Sequence, residues 1–460
     1  MDHISSKALG EDPPHSVNHN MRSASKRTLL GVLLIGVFVL RLAFCAGTTG
    51  LGRSLGKDYR EYIVTGQRLL EQGTLTSPFI TSDSTTTPSA LLPPLYAGLV
   101  AAVYRLLGTE TFLATLALQV LNAIATSMTV LFVFLIARRV GGVRAAWIAA
   151  LLAAINPMLI GFTTYIWDTN VFCFGVVFGV WLAIHLSDKP IGWPGWLGFG
   201  LYLGALALLN PALTIAYPLL VLWPLSKTHG WRFRAMLGPI GMTLCGWLVA
   251  VMPWTVRNYV HFGELMYIRS GLMHELWLGV CPEADTNPAA IFRRQSPLQD
   301  GEAQHRIASI GEQAYIKECS RHARAAISAN PWRFVRLVAL RTTDYWAGTL
   351  FSHRRPGGTG WPQSPTRLAV MLFLQIEGFA IVVCLLARRK ISPDLRWLLA
   401  IVLLFSLVYC VTHVQLRFRA PIEPIMAVLA AISVTDMVGA VRSRRVLSAD
   451  TSAVDNDYST

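Results

Sequence analysis

Charge is what this sequence has least of. Asp, Glu, Lys and Arg together make up only 14% of its 460 residues, against about a quarter in soluble domains, and that scarcity excludes an ordinary water-soluble enzyme. Cysteine is also sparse. Of seven, Cys45, Cys173, Cys245, Cys384 and Cys410 sit in apolar stretches as small hydrophobes, which excludes a disulfide scaffold; only Cys281 and Cys319 fall in a polar region where an oxidising compartment would let them pair. Nucleotide motifs are missing. There is no Walker loop and no G-x-G-x-x-G after a strand, and the series Gly198, Gly200, Gly204 lies in an apolar run and reads as helix packing. Metal-ligand spacing is missing too, with no His-Glu-x-x-His and no Cys-x-x-Cys. The sequence therefore identifies no cofactor and assigns no metal ligand; a divalent metal is compatible with it but has no ligand motif.

What is present is apolar. Hydrophobic residues make up 53% of the chain and the mean hydropathy is +0.46, which describes a polytopic membrane protein. A crossing needs roughly 20 mostly apolar residues. About ten such stretches are predicted, near 28–46, 111–137, 145–166, 169–186, 194–209, 212–226, 235–255, 366–387, 395–412 and 420–438. The net charge of +14 is dispersed over short connections instead of one soluble face, which argues against nucleic acid as a partner. Five basic clusters, Arg22 to Arg27, Arg138 to Arg144, Lys227 to Arg234, Arg388 to Lys390 and Arg442 to Arg445, all fall on the cytoplasmic side if both termini are inside. The expected localisation is the cytoplasmic (inner) membrane.

The expected organisation follows from that topology. Residues 1–27 and 441–460 read as cytoplasmic tails, the first disordered. Residues 28–256 form an N-terminal transmembrane module whose first outer loop spans 47–110. Residues 257–365 form a helical extracytoplasmic loop domain, and 366–440 hold the C-terminal transmembrane helices. Within the first outer loop, 59–72 and 93–107 read as two surface helices, the second opening on Pro93-Pro94. In the large loop, 303–329 reads as a helix, and a further helix over 331–349 has Asn330 as its N-cap and Pro331 at its first position. The fold class expected is all-α and polytopic.

An ordered series of motifs runs along the chain: Asp58-x-x-Glu61-Tyr62, Gly73, Pro93-Pro94-Leu95-Tyr96, Leu107-Gly108, Ala137-Arg138-Arg139 and Asn156-Pro157. Pro253-Trp254-Thr-Val-Arg257-Asn258-Tyr259 and Arg417-Phe418-Arg419-x-Pro421-x-x-Pro424 complete it. Over about 28–438 this series resembles the protein mannosyltransferase and aminoarabinose transferase group, glycosyltransferase family 39-like members of the GT-C superfamily. The resemblance implies a GT-C-like helical bundle. It also implies that an aspartate on the first outer helix, here Asp58, is the catalytic base, and that the donor is a sugar on a polyprenyl or dolichyl phosphate. The group often carries adjacent Asp-Glu at this point, whereas here Tyr59 follows Asp58 and the glutamate comes at Glu61.

The chemistry of such a transfer fits the same residues. It must stabilise an oxocarbenium-like centre, accept a proton from the acceptor hydroxyl and hold the charge of the departing lipid phosphate. Asp58 and Glu61 supply carboxylates on one helix face. Arg257, Arg417 and Arg419 sit at span ends and suit phosphate; His413, Asp168, Tyr62 and Tyr96 are further substrate or lipid-phosphate contacts. Each has a structural alternative. Asp58, Glu61 and Asp168 can cap helices, and Arg257 and the tyrosines can belong to an interfacial belt. Arg417 and Arg419 would share a face if their segment is extended and diverge if it is helical.

Two functions remain. One is an inverting glycosyltransferase moving a hexosyl or pentosyl unit from a polyprenyl-phosphate donor to a lipid, protein or glycan acceptor at the outer membrane face. The other is a polytopic glycolipid carrier or flippase, or a non-catalytic glycan-binding relative. Carriers place ionisable residues near mid-membrane. This chain gathers them at the outer border, which favours the enzyme.

Overall fold

A computed structural model describes residues 15–53, 60–77, 88–188, 191–285, 301–347, 365–387 and 391–439. The described residues are almost wholly helical, with one isolated antiparallel bridge between Thr76 and Pro88. The helices in the first half are α1 (His15–Thr48), α2 (Glu61–Gln72), α3 (Pro94–Leu107), α4 (Phe112–Ile155), α5 (Pro157–Gly161), α6 (Thr169–Leu186), α7 (Trp193–Leu209), α8 (Tyr217–Thr228) and α9 (Phe233–Phe262). The second half has α10 (Leu272–Val280), α11 (Gly301–Ile310), α12 (Glu312–Ala329), α13 (Pro331–Ala347), α14 (Pro365–Ala387), α15 (Pro393–Val411) and α16 (423–439).

Among the described residues, six segments are long and apolar enough to cross a membrane: Arg27–Thr48, α4, α6, α9, α15 and Ala420–Gly439. The protein is a multi-pass membrane protein. The expected count of ten differs for identifiable reasons. Stretch 111–137 and the first part of 145–166 are counted together as α4, a 44-residue element ending at Ile155 and broken at Gly142, whose φ of 83° lies in the left-handed region that glycine tolerates best. Phe134 and Trp147 would lie about 20 Å apart along a straight helix at 1.5 Å per residue, yet their rings meet at 5.0 Å. The chain therefore folds back at Gly142, between Arg139 and Arg144. Stretch 212–226 is not one rod but a 3-10 turn, Pro211–Ala216, followed by the twelve-residue α8. α9 runs on to Phe262, past the domain boundary expected at 257.

Close packing comes from small residues where the sequence placed them. α7 and α9 pack along their length, and a side chain at Gly200 or Gly246 would run into the facing helix's backbone, at Thr243 and Leu197 respectively. Gly198, in the same series, faces open space. α2 and α3 pack on each other, with Tyr62 and Tyr96 edge to face at 5.0 Å.

The loop after α2 is tied to the segment after α9 by two side chains. Buried Glu312 accepts hydrogen bonds from Ser89 Oγ, from Ala90 N at 2.9 Å and from Ser270 Oγ at 3.0 Å. Arg257 donates to the carbonyls of Ser89 (2.9 Å) and Leu75 (3.2 Å). Asn330 caps α13 as expected, its Oδ1 accepting from Arg333 N at 2.9 Å. The helix expected over 303–329 is two, α11 and α12, parted at Gly311 with φ 82°. Cys281 and Cys319 are free thiols in separate apolar clusters.

Candidate active site

The polar ends of several helices converge on a cavity of about 360 Å³. Glu61 and Tyr62 reach it from the first turn of α2, Asp168 and Phe172 from the start of α6, and Asn210 and Ala212 from the break after α7. Tyr267, Arg269 and Glu275 come from the segment around α10, and Tyr409, Arg417 and Phe418 from the end of α15 and the turn beyond.

Local sequence explains each placement. Asn156 is followed by Pro157, which has no N–H to extend α4, so the helix ends and Asn156 Oδ1 accepts from Met158 N and Leu159 N instead. That break returns the chain to Trp167 and Asp168. Asp168 does not cap α6 with its side chain; its carboxylate accepts from Asn210 Nδ2 at 2.8 Å. Burial pushes the Asp168 carboxyl above the ordinary range, while Asn210 and Arg417 oppose the shift.

Arg417 is held between acids and rings. Its Nη1 lies 3.9 Å from Glu61 Oε2, and its guanidinium sits 4.7 Å from the Trp167 ring centre and 5.3 Å from that of Phe418. Its Nε is buried with no hydrogen-bond partner among the described residues. Arg269 is the second cation. Nη2 donates to Glu275 Oε1 at 3.1 Å, and its Nε is likewise buried without a partner among the described residues. A buried N–H left open costs about 1–3 kcal/mol, so two such groups on one cavity suit an anionic ligand, and a guanidinium's planar fork suits phosphate. Glu275 also meets His413 Nδ1 at 2.8 Å. Burial alone would raise the Glu275 carboxyl, but His413 and Arg269 outweigh it and hold the group well below the usual range. The Tyr62 phenol, buried and near Asp168, is pushed up and stays neutral.

The structure thus brings together Glu61, Tyr62, Asp168 and Arg417 of the residues expected from sequence. Asp58 lies outside the described residues. Tyr96 is fully buried beneath Tyr62 and does not line the cavity. Arg257 is engaged away from it, stacked 4.6 Å over Trp254 and bonded to the loop after α2. His413 stands one residue back, behind Glu275.

Arg419 is buried, donating to the carbonyls of Tyr345 (3.0 Å), Trp346 (2.8 Å) and Leu374 (3.3 Å) and to Glu423. The divergence of Arg417 and Arg419 has a simple cause. The segment forms 3-10 turns at Leu416–Phe418 and Ala420–Ile422, and at three residues per turn positions two apart point to different sides. Arg269 and Glu275 were not found by sequence reasoning, because they are isolated charges in the largely apolar stretch 265–280, and their facing partners come from far along the chain. Among the described residues no group of three or more His, Cys, Asp or Glu side chains is placed to hold a metal ion.

No family model matches the sequence, and no curated protein matches it. Solved structures do. The archaeal oligosaccharyltransferase AglB from Archaeoglobus fulgidus, in complex with an inhibitory peptide and a dolichol-phosphate, is similar over 92% of this chain and 52% of its own, at 15% identity and a TM-score of 0.54. The Archaeoglobus fulgidus oligosaccharyltransferase tethered to an acceptor peptide gives 90% and 50%, with 15% identity and a TM-score of 0.52. ArnT from Cupriavidus metallidurans bound to undecaprenyl phosphate gives 89% and 78%, with 13% identity and a TM-score of 0.40. This chain spans about half the length of the archaeal enzyme. Helical content, apolar spans and the likeness to the archaeal structures agree on one architecture: the chain has a GT-C-like helical fold.

Proposed function

We propose that the protein is an inverting glycosyltransferase that moves a hexosyl or pentosyl unit from a polyprenyl-phosphate donor to a lipid, protein or glycan hydroxyl. The observation that carries this reading is the pair of open guanidinium N–H groups, on Arg269 and Arg417, lining the same cavity as the Glu61 and Asp168 carboxylates. The arginines hold the single negative charge of the donor's phosphodiester. The acceptor hydroxyl attacks the anomeric carbon from the face opposite the phosphate, the bond from that carbon to the phosphate oxygen breaks, and the acceptor proton passes to a carboxylate. Asp58 is the assigned base, with Glu61 three residues on as the other candidate. The departing lipid phosphate gains the charge that Arg269 and Arg417 stabilise.

The dolichol-phosphate held by the structurally similar archaeal enzyme is consistent with a lipid-linked donor. The proposed setting is the cytoplasmic membrane, with both termini cytoplasmic, the cavity extracytoplasmic and residues beyond α9 to 365 forming the outer domain.

The test supplies membranes carrying wild type, Asp58→Asn or Glu61→Gln with radiolabelled polyprenyl-phosphate sugars. Transfer by wild type and its loss in Asp58→Asn is the expected result. Full activity in Asp58→Asn removes Asp58 as the base, and no transfer by wild type from any lipid-linked donor favours a glycolipid carrier.

A further inference from the structure

His413 was expected to touch substrate, yet it is not among the residues lining the cavity; what it touches is the carboxylate that holds Arg269. Nδ1 of His413 meets Glu275 Oε2 at 2.8 Å, and the other oxygen of Glu275 accepts from Arg269 at 3.1 Å. The three side chains form one line from the interior to the cavity wall. On the far side of the ring, His413 Nε2 lies 3.2 Å from the Gln415 amide, and an amide offers either a donor or an acceptor by turning over. The imidazole is therefore satisfied in its neutral and in its protonated form.

We propose that His413 is a positioning residue whose protonation sets how strongly Arg269 holds the lipid phosphate. The inference rests on the phosphate-donor reading above. With a neutral imidazole the line of Arg269, Glu275 and His413 carries no net charge, and Glu275 draws on Arg269 in competition with any anion. With an imidazolium the line carries one positive charge, Glu275 is neutralised from behind, and the Arg269 guanidinium at the cavity wall has its charge less compensated.

Other charged groups surround the line. His274 neighbours Glu275 on α10, Arg341 of α13 donates to the Thr412 carbonyl beside His413, and Arg417 and Asp168 face the cavity. His413 meets Glu275 without itself lining the cavity. Its effect on the phosphate is thus electrostatic and indirect.

The probe is the methyl diester of a polyprenyl phosphate, which carries one negative charge throughout the imidazole range. Its affinity for the purified full chain in nanodiscs is measured at about pH 5.5 and about pH 8, which bracket the usual titration of histidine. Wild type is expected to bind about tenfold more weakly at the higher pH, the order of effect of one unscreened charge at an effective dielectric of about 20. His413→Gln, which keeps a donor toward Glu275, loses most of that pH dependence. His274→Gln and Asp168→Asn keep the greater part of it. In turnover, His413→Gln raises the donor KM at low pH and leaves kcat in place.

If wild type binds the diester at no pH, the donor reading itself falls. If wild type binds without pH dependence, or His413→Gln keeps the full dependence, this inference falls and the donor reading stands. Should His413→Gln fail to fold by thermal unfolding, Glu275→Gln decides instead: removal of the competing carboxylate strengthens binding at about pH 8 by about tenfold, and weaker binding overturns the proposal.

Discussion

Two polar clusters lie on either side of the turn at 416–422, and they use the same residue types to opposite ends. On one side Arg417 sits with Glu61, Asp168 and Asn210 around a cavity, its Nε left open among the described residues. On the other, Arg419 sits with Glu423, Glu377 and Asn156 in a closed interior. There Nε, Nη1 and Nη2 of the guanidinium all donate to the protein. An arginine so committed holds helices together; an arginine left incomplete keeps hydrogen-bonding capacity in reserve at the cavity. Spacing of two residues in the sequence says nothing of this difference, and hydrogen-bond satisfaction says nearly all of it.

The comparison is most sharply broken by exchanging the consequences of two alanine substitutions. Arg419→Ala strands Glu423 in the interior, and removal of one partner of a buried ion pair costs about 3–5 kcal/mol. The expected outcome is a large loss of thermal stability in detergent, with activity falling alongside it. Arg417→Ala should leave the unfolding temperature close to wild type and reduce sugar transfer about a hundredfold, the usual size of losing one donor to developing charge. If Arg417→Ala unfolds the protein and Arg419→Ala only slows it, the two assignments are reversed.

A smaller effect separates bracing from binding. Arg257→Gln loses the ties to Ser89 and Leu75, at about 1–3 kcal/mol for the carbonyls left unpaired. Its thermal stability should drop while donor KM is unchanged, and a raised KM with normal stability would return Arg257 to the phosphate site.

The smallest effect is a pH profile. The Glu275 carboxyl lies below its ordinary value in the folded protein, so as pH falls the unfolded chain takes up that proton first. Its contribution to stability is therefore present above the ordinary glutamate value of about 4.3 and is lost as pH falls below it toward the folded value. Unfolding temperatures recorded between about pH 3 and pH 6 should fall less steeply in Glu275→Gln than in wild type.

Hydropathy made the spans legible, because lipid exposure demands long apolar runs. The basic cluster Arg138 to Arg144 likewise marked the fold-back at Gly142 before any coordinates did. Of the residues named from sequence, Glu61, Tyr62, Asp168 and Arg417 line the cavity; Asp168 and Arg417 stood out as polar groups at the ends of apolar runs, Glu61 and Tyr62 as part of the acidic motif after the first span. Three features were not legible. The 3-10 geometry that parts Arg417 from Arg419 leaves no period in so short a segment. The burial of Tyr96 depends on α2 lying across α3, and a sequence shows a helix's apolar side without showing what covers it. Arg269 and Glu275 sit in and just before the nine-residue α10, too short for its pattern to mark a site, and His413, which completes their line, follows 138 positions after Glu275.

The cavity's lining runs from Glu61 to Pro421, with a consequence for how the molecule comes into being. A chain threaded into the membrane from its N-terminus has the acids in place early and waits for Arg417 until the last span is about to enter. Every shorter intermediate carries Glu61 and Asp168 without the guanidinium that faces them. Completion of the site is thereby coupled to insertion of Ala420–Gly439, so a chain stalled before that segment carries the acids without Arg417 and, under the proposed function, transfers nothing.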